Sequence, residues 1–316
     1  DFVPSRGLGD VYKRQLMDLP SYPEKPLLSI DHLPFTKVAR GKVREIFDLE
    51  DAYLMIATDR ISAFDVVFNE GLSGKGILLT QMSLYWFDRL ASITRHHLVE
   101  DHQARCKIIS DQFPELTGRI MIVKKLKPLT IEAIVRGYLA GSAWKDYQKN
   151  QTILGYELPS DLMESSRLEQ PLFTPTTKAQ SGHDIPISEK KAKELIGRSI
   201  LEKVEELSLN IFDYATKQLE QCGLILADTK FEFGLDEDNQ IYLIDEVLTP
   251  DSSRYWFKDN YVEGEPQEPV DKQFIRDYLN SIDWDKRPPA PDLPNSVIQE
   301  TLKRYEKAYQ LITSLN

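Results

Sequence analysis

The sequence predicts an α+β fold with two lobes and a cleft between them. The first third of the chain is rich in strand patterns, and the remainder mixes strand and helix patterns. A polar hairpin in the last third carries a row of charges. This order of elements is typical of α+β proteins, and ligand sites favour clefts between lobes. We therefore expect a strand-rich N-terminal lobe at residues 16–127 and a mixed α/β C-terminal lobe at residues 128–316.

The composition is that of an ordinary globular protein. Of the 316 residues, 41% are hydrophobic and 28% are charged, and the formal net charge is −11. This acidic balance argues against a nucleic-acid surface or an anionic membrane partner. Cys106 and Cys222 lie far apart and outside any CxxC pair, which fits a reducing cytoplasm and gives no support to a zinc site. No apolar stretch approaches the ~20 residues of a spanning helix.

The first fifteen residues are expected to lie outside the fold. Residues 5–15 read SRGLGDVYKRQ and lack the apolar core of a secretory signal. They resemble the translation of a sequencing-library adapter, and a genuine disordered tail is the alternative. Both interpretations predict an unpacked segment, with a native start near Leu16 or Met17 in the first case.

Strand patterns dominate the start of the folded region. Residues 35–49 (FTKVARGKVREIFDL) predict a strand, a glycine-containing turn and a second strand. Residues 52–57 form a continuous apolar run, which is typical of a buried strand, and residues 66–68 suit a short one. Between them we expect a polar loop at residues 58–65, which ends at Asp65.

The middle of the chain alternates strands with polar turns. Residues 119–123 and 131–138 predict strands, and a Gly-Ser pair opens a helix near residues 143–149. Residues 172–187 are expected to form a flexible polar loop, whose Lys178 would reach the active site if the loop covers a cleft.

Helices are expected where apolar residues recur every three or four positions. This pattern spans residues 78–93, after a glycine-punctuated segment that we expect to be mobile. It recurs over residues 188–222, as one helix or two, with Ser188 as the N-cap. The C-terminal helices are expected at residues 271–279 and 296–313, separated by a proline-rich linker.

The hairpin in the last third is the most informative stretch. Its first strand begins with the apolar residues 224–227 and continues with Asp228, Lys230 and Glu232 at alternate positions. Because side chains alternate between the two faces of a strand, these three charges share one face. We expect the polar residues that start at Gly234 to end this strand.

The hairpin register decides whether two carboxylates meet. If Asp238 and Asn239 are the central turn residues, Glu232 lies opposite Asp245, although a longer loop would shift this pairing. Facing carboxylates destabilise a ladder unless a cation neutralises them. Mg²⁺, which usually arrives with phosphates, is the simplest such cation. The hairpin therefore predicts a metal–phosphate site; a solvated face with surface ion pairs is the alternative.

Three further motifs suggest anion binding. Residues 41–44 (GKVR) place two cations beside a glycine turn, a weak signal that matches neither GxxxxGK[ST] nor GxGxxG before a helix. Arg136 precedes the Gly-Ser helix start, which gives either an anion site or an ordinary strand–turn–helix. Asp251 and Arg254 follow the second hairpin strand at the mouth of its charged face.

Six motifs occur in order along the chain. They are GKVREIF from Gly41, ATDRISAFD from Ala57, IVRGYLAGSAWKDY from Ile134, FTPTTKAQSGHD from Phe173, ADTKFEFG from Ala227 and IDEVLTPDSSRYW from Ile244. Together they resemble the SAICAR synthetase family of purine biosynthesis, from residue 28 to the C-terminus. The length and the proline-rich C-terminal extension are similar to the longer, fungal-type branch. The resemblance implies a two-lobed fold related to ATP-grasp enzymes.

The resemblance also implies a reaction. A member of this family uses ATP to ligate L-aspartate to the carboxylate of CAIR, 5-amino-1-(5-phosphoribosyl)imidazole-4-carboxylate, giving SAICAR, ADP and phosphate. A carboxylate is a poor acyl donor, so an acyl phosphate is the implied intermediate. Positioning and charge neutralisation by Mg²⁺ and cations would supply most of the catalysis. The expected form is a cytoplasmic monomer, although the sequence leaves the oligomeric state open.

Matching motifs imply residue roles. The implied ATP site comprises Lys42 and Arg44 at the phosphates, Lys124 and Leu126 in a hinge beside adenine, and the neighbouring Glu132. The implied metal ligands are Glu232 and Asp245, with Asp228, Lys230 and Lys178 as catalytic residues. The implied CAIR site comprises Arg136, Ser142 and Arg254 at the phosphate, Asp251 as an orienting residue, and Asp65 facing the active site.

Two other functions stay open at this point. A small-molecule kinase on the same scaffold would transfer phosphate to an acceptor without using aspartate. A non-catalytic nucleotide-binding module is the third hypothesis, and the acidic residues at both Glu232 and Asp245 argue against it.

Overall fold

The structure, a computed structural model, describes Leu19, residues 22–178 and residues 185–315. The expected N-terminal tail at residues 1–15 lies outside the described residues. So do residues 179–184, which belong to the expected flexible loop. The interpretation of both segments stays a prediction.

The elements follow one another from the strand-rich start to two C-terminal helices. The first half contains β1 (Thr36–Arg40), β2 (Arg44–Asp48), β3 (Tyr53–Ala57), β4 (Arg60–Ala63), β5 (Val66–Gly71), α1 (Lys75–Leu90), α2 (His102–Gln112), β6 (Ile120–Val123), β7 (Lys127–Pro128), β8 (Ile131–Tyr138) and α3 (Gly141–Asn150). The second half contains β9 (Thr152–Ile153), β10 (Tyr156–Glu157), β11 (Arg167–Phe173), β12 (Thr176–Thr177), α4 (Glu189–Ile196), α5 (Arg198–Gln221), β13 (Leu224–Leu235), β14 (Ile241–Ile244), β15 (Ser253–Phe257), α6 (Gln273–Ser281) and α7 (Asn295–Thr313).

A four-stranded antiparallel sheet forms the start of the chain, in the order β1-β2-β3-β6. Side chains on its two faces enter different cores. Leu54 and Ile122 pack into a small cluster with Ile30, whereas Met55 and Met121 join the main core beside α1. Burial on both faces explains why the sequence of β3 is a continuous apolar run, as expected.

A seven-stranded sheet forms the second layer around β13. This strand pairs with β8, β14, β15 and β7, and β8 also pairs with β11 and β12. The apolar face of β13, including Phe231 and Phe233, is buried in the main core, to which Ile211 and Phe212 of α5 also belong. Its charged face is therefore left to line a cavity. The mixture of antiparallel sheets and packed helices confirms the predicted α+β class.

Residues 95–99 connect the two sheets through backbone hydrogen bonds. On one side, His97 N donates to Leu243 O at 3.1 Å, and Leu243 N donates to Arg95 O at 2.8 Å. On the other side, Lys124 N donates to His97 O at 2.7 Å, and Val99 N donates to Ile122 O at 3.1 Å. We call residues 95–99 the connecting segment; it links the end of β6 to β14.

Helix α1 belongs to the expected N-terminal lobe but packs against α7 at the C-terminus. Arg89 of α1 donates to the Leu315 carbonyl at 2.7 Å, and Tyr85 donates to the same carbonyl at 3.2 Å. The division at residue 127 therefore stays a prediction. None of the described helices is long and apolar enough to cross a membrane.

The expected helices are confirmed with small shifts of their ends. Residues 188–222 form two helices, and Ser188 is the N-cap: its Oγ accepts from Lys191 N at 3.3 Å. Helices α6 and α7 begin within two residues of the predicted positions. Helix α2 was not predicted, because only His102 among its residues is buried and it therefore lacks an apolar stripe.

The polar loop expected at residues 58–65 is wrong in part, because β4 lies there and pairs with β5. Ile61 and Phe68 of this pair pack against Ile275 and Val297 of the C-terminal helices. The strand was hidden because Arg60 is polar yet buried, so the sequence does not look like a buried strand.

The prediction of a mobile glycine-punctuated segment is also wrong. Gly71 ends β5, and Gly76 lies in the first turn of α1, where its N–H donates to Asp59 Oδ1 at 2.9 Å. A Cβ atom at Gly76 would lie 2.2 Å from the Ala57 carbonyl oxygen. Glycine is required there because the helix approaches β3 closely.

Replacing Gly76 by alanine is expected to lower the free energy of unfolding by about 1–3 kcal/mol, the usual range for overpacking. Urea denaturation followed by circular dichroism measures this loss. Gln103→Ala on the exposed face of α2 is the control, and we expect it to change stability by less than about 0.5 kcal/mol. Equal stability of the two variants would contradict the close approach.

Candidate active site

An open cleft of about 1040 Å³ runs between the β1–β2 turn and the charged face of β13. Eleven of the fifteen predicted site residues line it: Lys42, Arg44, Asp65, Glu132, Lys178, Asp228, Lys230, Glu232, Asp245, Asp251 and Arg254. The structure therefore brings together residues from five separate motifs of the sequence.

The hairpin register differs by one residue from the predicted one. Glu232 pairs with Ile244, and Asp245 is the residue that follows. The turn is longer than expected because Asp236 Oδ1 accepts from the N–H groups of Asp238 and Gln240, at 3.0 Å and 2.8 Å. The two carboxylates therefore do not face each other across the ladder, although both line the cleft.

Acids and bases alternate along this wall of the cleft. Lys230 Nζ lies 2.6 Å from Glu132 Oε1 and 3.1 Å from Glu232 Oε1. Lys178 Nζ forms an ion pair with the other carboxylate oxygen of Glu232. With a residue exposure of 8%, Glu232 does not belong to a solvated surface. The alternative of an exposed hairpin face is therefore wrong.

Arg44 connects the β1–β2 turn to the end of β14. Its Nη2 lies 2.9 Å from Asp245 Oδ2 and 2.8 Å from Glu246 Oε1. Glu246 also accepts from Thr249 Oγ1 at 2.7 Å, which fixes its orientation. No signal in the sequence singled out Glu246, because its contact with Arg44 joins two distant segments.

The pKa values of the two predicted metal ligands move in opposite directions. Burial raises the pKa of Asp245, and the nearby Glu232 adds to this against the effect of Arg44, so the value is about 6. Burial also acts to raise the pKa of Glu232, but Lys230 and Lys178 outweigh it and hold the value at about 2. Glu232 is therefore an anion at neutral pH, and the charge of Asp245 depends on its neighbours.

The donor set fits Mg²⁺ bound together with phosphates. Among the residues that the structure describes, no three His, Cys, Asp or Glu side chains converge on a common metal position. Glu232 and Asp245 nevertheless present carboxylate oxygens to one cleft. Mg²⁺ is commonly held by one or two carboxylates and by substrate phosphates, so a complete protein cage is not needed.

Two guanidinium groups converge at the start of α3. Arg254 forms an ion pair with Asp228, and Arg136 Nη1 lies 3.5 Å from the same carboxylate. Arg136 Nη2 donates to Ser142 Oγ at 3.3 Å. A Cβ atom at Gly141 would lie 2.7 Å from Arg254 Nη2, so glycine lets this guanidinium approach the helix start. Together with the helix N–H groups, this arrangement can bind an anion.

Several predicted residues have other surroundings. Lys42 pairs with Asp65 at the rim of the cleft. Lys124 and Leu126 do not line the cleft: Lys124 Nζ lies 5.0 Å from the centre of the Tyr242 ring, and Leu126 packs beside Gly234. Their role as a hinge beside adenine stays a prediction.

Asp251 lines the cleft, and its carboxylate belongs to a buried charge cluster. Its carboxylate is 2.8 Å from Lys75 Nζ and 3.6 Å from Lys272 Nζ, and it accepts from Tyr305 Oη at 2.6 Å. The two lysines hold the pKa of Asp251 well below its usual range despite burial. These contacts give Asp251 a structural role, and the orienting role that the resemblance implied stays a prediction.

Four cations from the C-terminal segment line one end of the cleft, and none of them was predicted from the sequence. They are Lys272, Arg276, Lys286 and Arg287. Within the described part of the chain, neither Arg276 nor Arg287 forms an ion pair shorter than 4.0 Å, although Arg276 interacts electrostatically with the buried Asp271. Arg276 lies in α6, where a charge on the polar face normally indicates solvent exposure, and the other three lie in loops.

Comparison with known proteins identifies the family. A family model described as SAICAR synthetase matches residues 37–291, which is most of the chain. The chain belongs to the SAICAR synthetase family. Membership makes it a carbon–nitrogen ligase and confirms the resemblance carried by the six motifs. The kinase and the non-catalytic module are set aside.

Individual SAICAR synthetases resemble the chain over most of their length. A phosphoribosylaminoimidazole-succinocarboxamide synthase of Thermodesulfovibrio yellowstonii is 50% identical over 283 residues, covering 87% of this chain and 94% of the relative. The solved SAICAR-synthase of Saccharomyces cerevisiae, complexed with SAICAR, is 39% identical with a TM-score of 0.81, covering 93% of this chain and 98% of that one. A solved SAICAR synthetase in complex with ADP is 27% identical with a TM-score of 0.63, covering 88% and 97%.

Proposed function

We propose that this chain joins L-aspartate to the carboxylate of CAIR with ATP, giving SAICAR, ADP and phosphate in purine biosynthesis. The observation that carries the proposal is a single cleft in which alternating acids and bases on β13 face the cationic β1–β2 turn. Relatives of this chain are named for this synthase, and two solved relatives hold SAICAR and ADP.

ATP is proposed to lie between the two expected lobes, residues 16–127 and 128–316. Its phosphates would meet Lys42 and Arg44, both of which line the cleft. Adenine would lie towards the predicted hinge at Lys124 and Leu126, with Glu132 between that hinge and the phosphates. Because Arg44 already contacts two carboxylates, a phosphate would share this guanidinium with them.

Mg²⁺ is proposed to be held by Glu232 and Asp245, whose carboxylate oxygens suit a hard cation. When bound, it would neutralise charge on the transferring phosphate. Lys230 and Lys178 both contact Glu232, so they fix the orientation of this carboxylate and lower its pKa.

CAIR is proposed to place its phosphate at Arg136, Ser142 and Arg254, with Asp228 fixing both guanidinium groups. A carboxylate oxygen of CAIR attacks the γ-phosphorus, the bond to the β–γ bridging oxygen breaks, and ADP leaves. The aspartate nitrogen then attacks the acyl carbon, phosphate leaves with the bonding electrons, and the nitrogen loses a proton. Positioning of the reactants and neutralisation of their charge by Lys178 and Lys230 supply the catalysis.

L-Aspartate is proposed to bind at the cationic end of the cleft, because two carboxylates need cations that are not already paired. Replacing Arg276 by glutamine is expected to raise KM for aspartate about tenfold to a hundredfold, as for loss of a charged hydrogen-bond donor. KM for ATP should stay unchanged. Steady-state assays with each substrate varied in turn measure both constants.

Arg304→Gln is the matched control for Arg276→Gln. Arg304 is an arginine of α7 that contacts Glu268 and Glu300, each at 3.1 Å, away from the cleft. An unchanged KM for aspartate in Arg276→Gln, or an equal rise in Arg304→Gln, would contradict the proposed aspartate position.

The reaction is tested by incubating the purified protein with ATP, Mg²⁺, CAIR and L-aspartate and separating the products by chromatography. We expect SAICAR and ADP in equal amounts, and neither without aspartate. A stable phosphorylated product in the absence of aspartate would instead indicate a kinase.

A cytoplasmic monomer is the proposed form. Cys106 and Cys222 are both free thiols, which supports a reducing compartment. Sedimentation velocity tests the monomer: a single species with the mass of one chain is expected, and a species of twice that mass would contradict it.

A further inference from the structure

The three carbonyl groups of the β1–β2 turn all accept hydrogen bonds from the start of β4 or the residues just before it. Gly41 O accepts from Arg60 Nη2 at 3.1 Å, and Lys42 O accepts from Arg60 Nε at 2.9 Å. Val43 O accepts from Thr58 N at 2.9 Å and from Thr58 Oγ1 at 2.7 Å. Three consecutive carbonyls are therefore satisfied by Thr58, which follows β3, and by Arg60, which begins β4.

Arg60 itself is fixed in place. It is buried, and its Nη1 lies 2.6 Å from Glu45 Oε1 and donates to Leu28 O at 3.0 Å. Glu45 is fully buried, and Lys37 contacts its other carboxylate oxygen at 2.6 Å. The ion pair with Glu45 is enough to neutralise the charge of Arg60. The hydrogen bonds to the carbonyls of Gly41 and Lys42 are therefore not needed for neutralisation, and they use the remaining donors of the planar guanidinium.

These carbonyl bonds determine where the N–H groups of the turn point. In a planar trans peptide the C=O and the following N–H point in opposite directions. The N–H groups of Lys42 and Val43 are therefore directed away from Arg60. Neither donates a hydrogen bond to a described residue, and the turn lines the cleft. Successive N–H groups of this kind form a concavity that binds anions.

We propose that Arg60 is a positioning residue, which orients the β1–β2 turn so that the N–H groups of Lys42 and Val43 bind a phosphate group of ATP. Arg60 does not touch the nucleotide; it acts through the two carbonyl groups. The inference rests on the proposed function, because that function assigns the ATP phosphates to this turn. It adds backbone donors to the side-chain cations Lys42 and Arg44.

Arg60→Lys tests the proposal, because lysine keeps the charge beside Glu45 but cannot reach both carbonyls with a planar group. We expect ATP binding, measured by calorimetry with Mg²⁺ present, to weaken about tenfold, at the lower end of the cost of losing a supporting residue. KM for ATP should rise similarly, whereas KM for CAIR and for aspartate should not change.

Arg119→Lys is the matched control. Arg119 is equally buried and pairs with Asp59 at 2.9 Å, but it does not contact the turn. The Arg119→Lys variant should have a lower melting temperature, as Arg60→Lys should, and an unchanged affinity for ATP. Equal weakening of ATP binding in the two variants, or wild-type affinity in Arg60→Lys, would overturn the proposal.

Amide hydrogen exchange in the unaltered protein provides a measurement that does not depend on a variant folding. Exchange at Lys42 and Val43 should slow when ATP and Mg²⁺ are added. Unchanged exchange at both amides, in protein that binds ATP, would refute the role of the turn. Failure of the unaltered protein to bind ATP at all would refute the proposed function instead.

Discussion

Replacing Glu232 by glutamine is expected to abolish turnover while leaving the fold intact. Glutamine keeps the shape of the side chain but removes the charge that Lys230 and Lys178 both contact. It also removes one proposed Mg²⁺ ligand. We expect kcat to fall by at least about 10³-fold, as when a group that stabilises transition-state charge is lost. Steady-state kinetics measure the loss, and circular dichroism and thermal melting verify the fold.

Glu237→Gln is the control for this prediction, because Glu237 is exposed in the turn of the same hairpin. It should leave kcat unchanged. Asp245→Asn should resemble Glu232→Gln, since both carboxylates line the cleft and interact electrostatically. Normal turnover in either cleft variant would remove the basis for the metal assignment.

Replacing Asp251 by asparagine is expected to lower the free energy of unfolding by about 3–5 kcal/mol, the usual cost of breaking a buried ion pair. The change leaves the ammonium groups of Lys75 and Lys272 without their common carboxylate. Lys75 is almost completely buried, so water cannot replace the lost partner. Urea denaturation at neutral pH measures the loss.

Tyr305→Phe separates the charge from the hydrogen bond in this cluster. It removes only the O–H group that donates to Asp251 and should cost about 1 kcal/mol. If Asp251→Asn kept full stability but bound CAIR poorly, the structural role would be wrong and the orienting role implied by the resemblance would stand.

Local pattern explains the parts of the fold and site that were predicted correctly. The alternation of Asp228, Lys230 and Glu232 fixes one charged face of β13 whatever the hairpin register is. The register depends on turn length, which the Asp236 side chain changes through its hydrogen bonds to the turn. The predicted pairing of Glu232 with Asp245 was therefore wrong by one position, although both residues reach the cleft.

Contacts between distant segments explain the parts that were missed. The buried cluster around Asp251 needs Lys75 from α1 and Tyr305 from α7, and nothing local in either helix indicates a charged partner. The same applies to Arg60, whose role depends on carbonyl groups of a turn nearly twenty residues earlier. Likewise, the sequence around Arg276 is typical of a solvent-exposed helix face. Only the packing of α6 beside the cleft brings this arginine to the site.

The connecting segment limits how the cleft can widen. Its four backbone hydrogen bonds join the end of β6 to β14 along one edge, and separating the sheets there would break all of them. Opening of the cleft at its rim, where Lys42 and Asp65 are paired, would keep these four bonds intact, because neither residue belongs to the connecting segment. We therefore expect substrates to enter and products to leave at that rim.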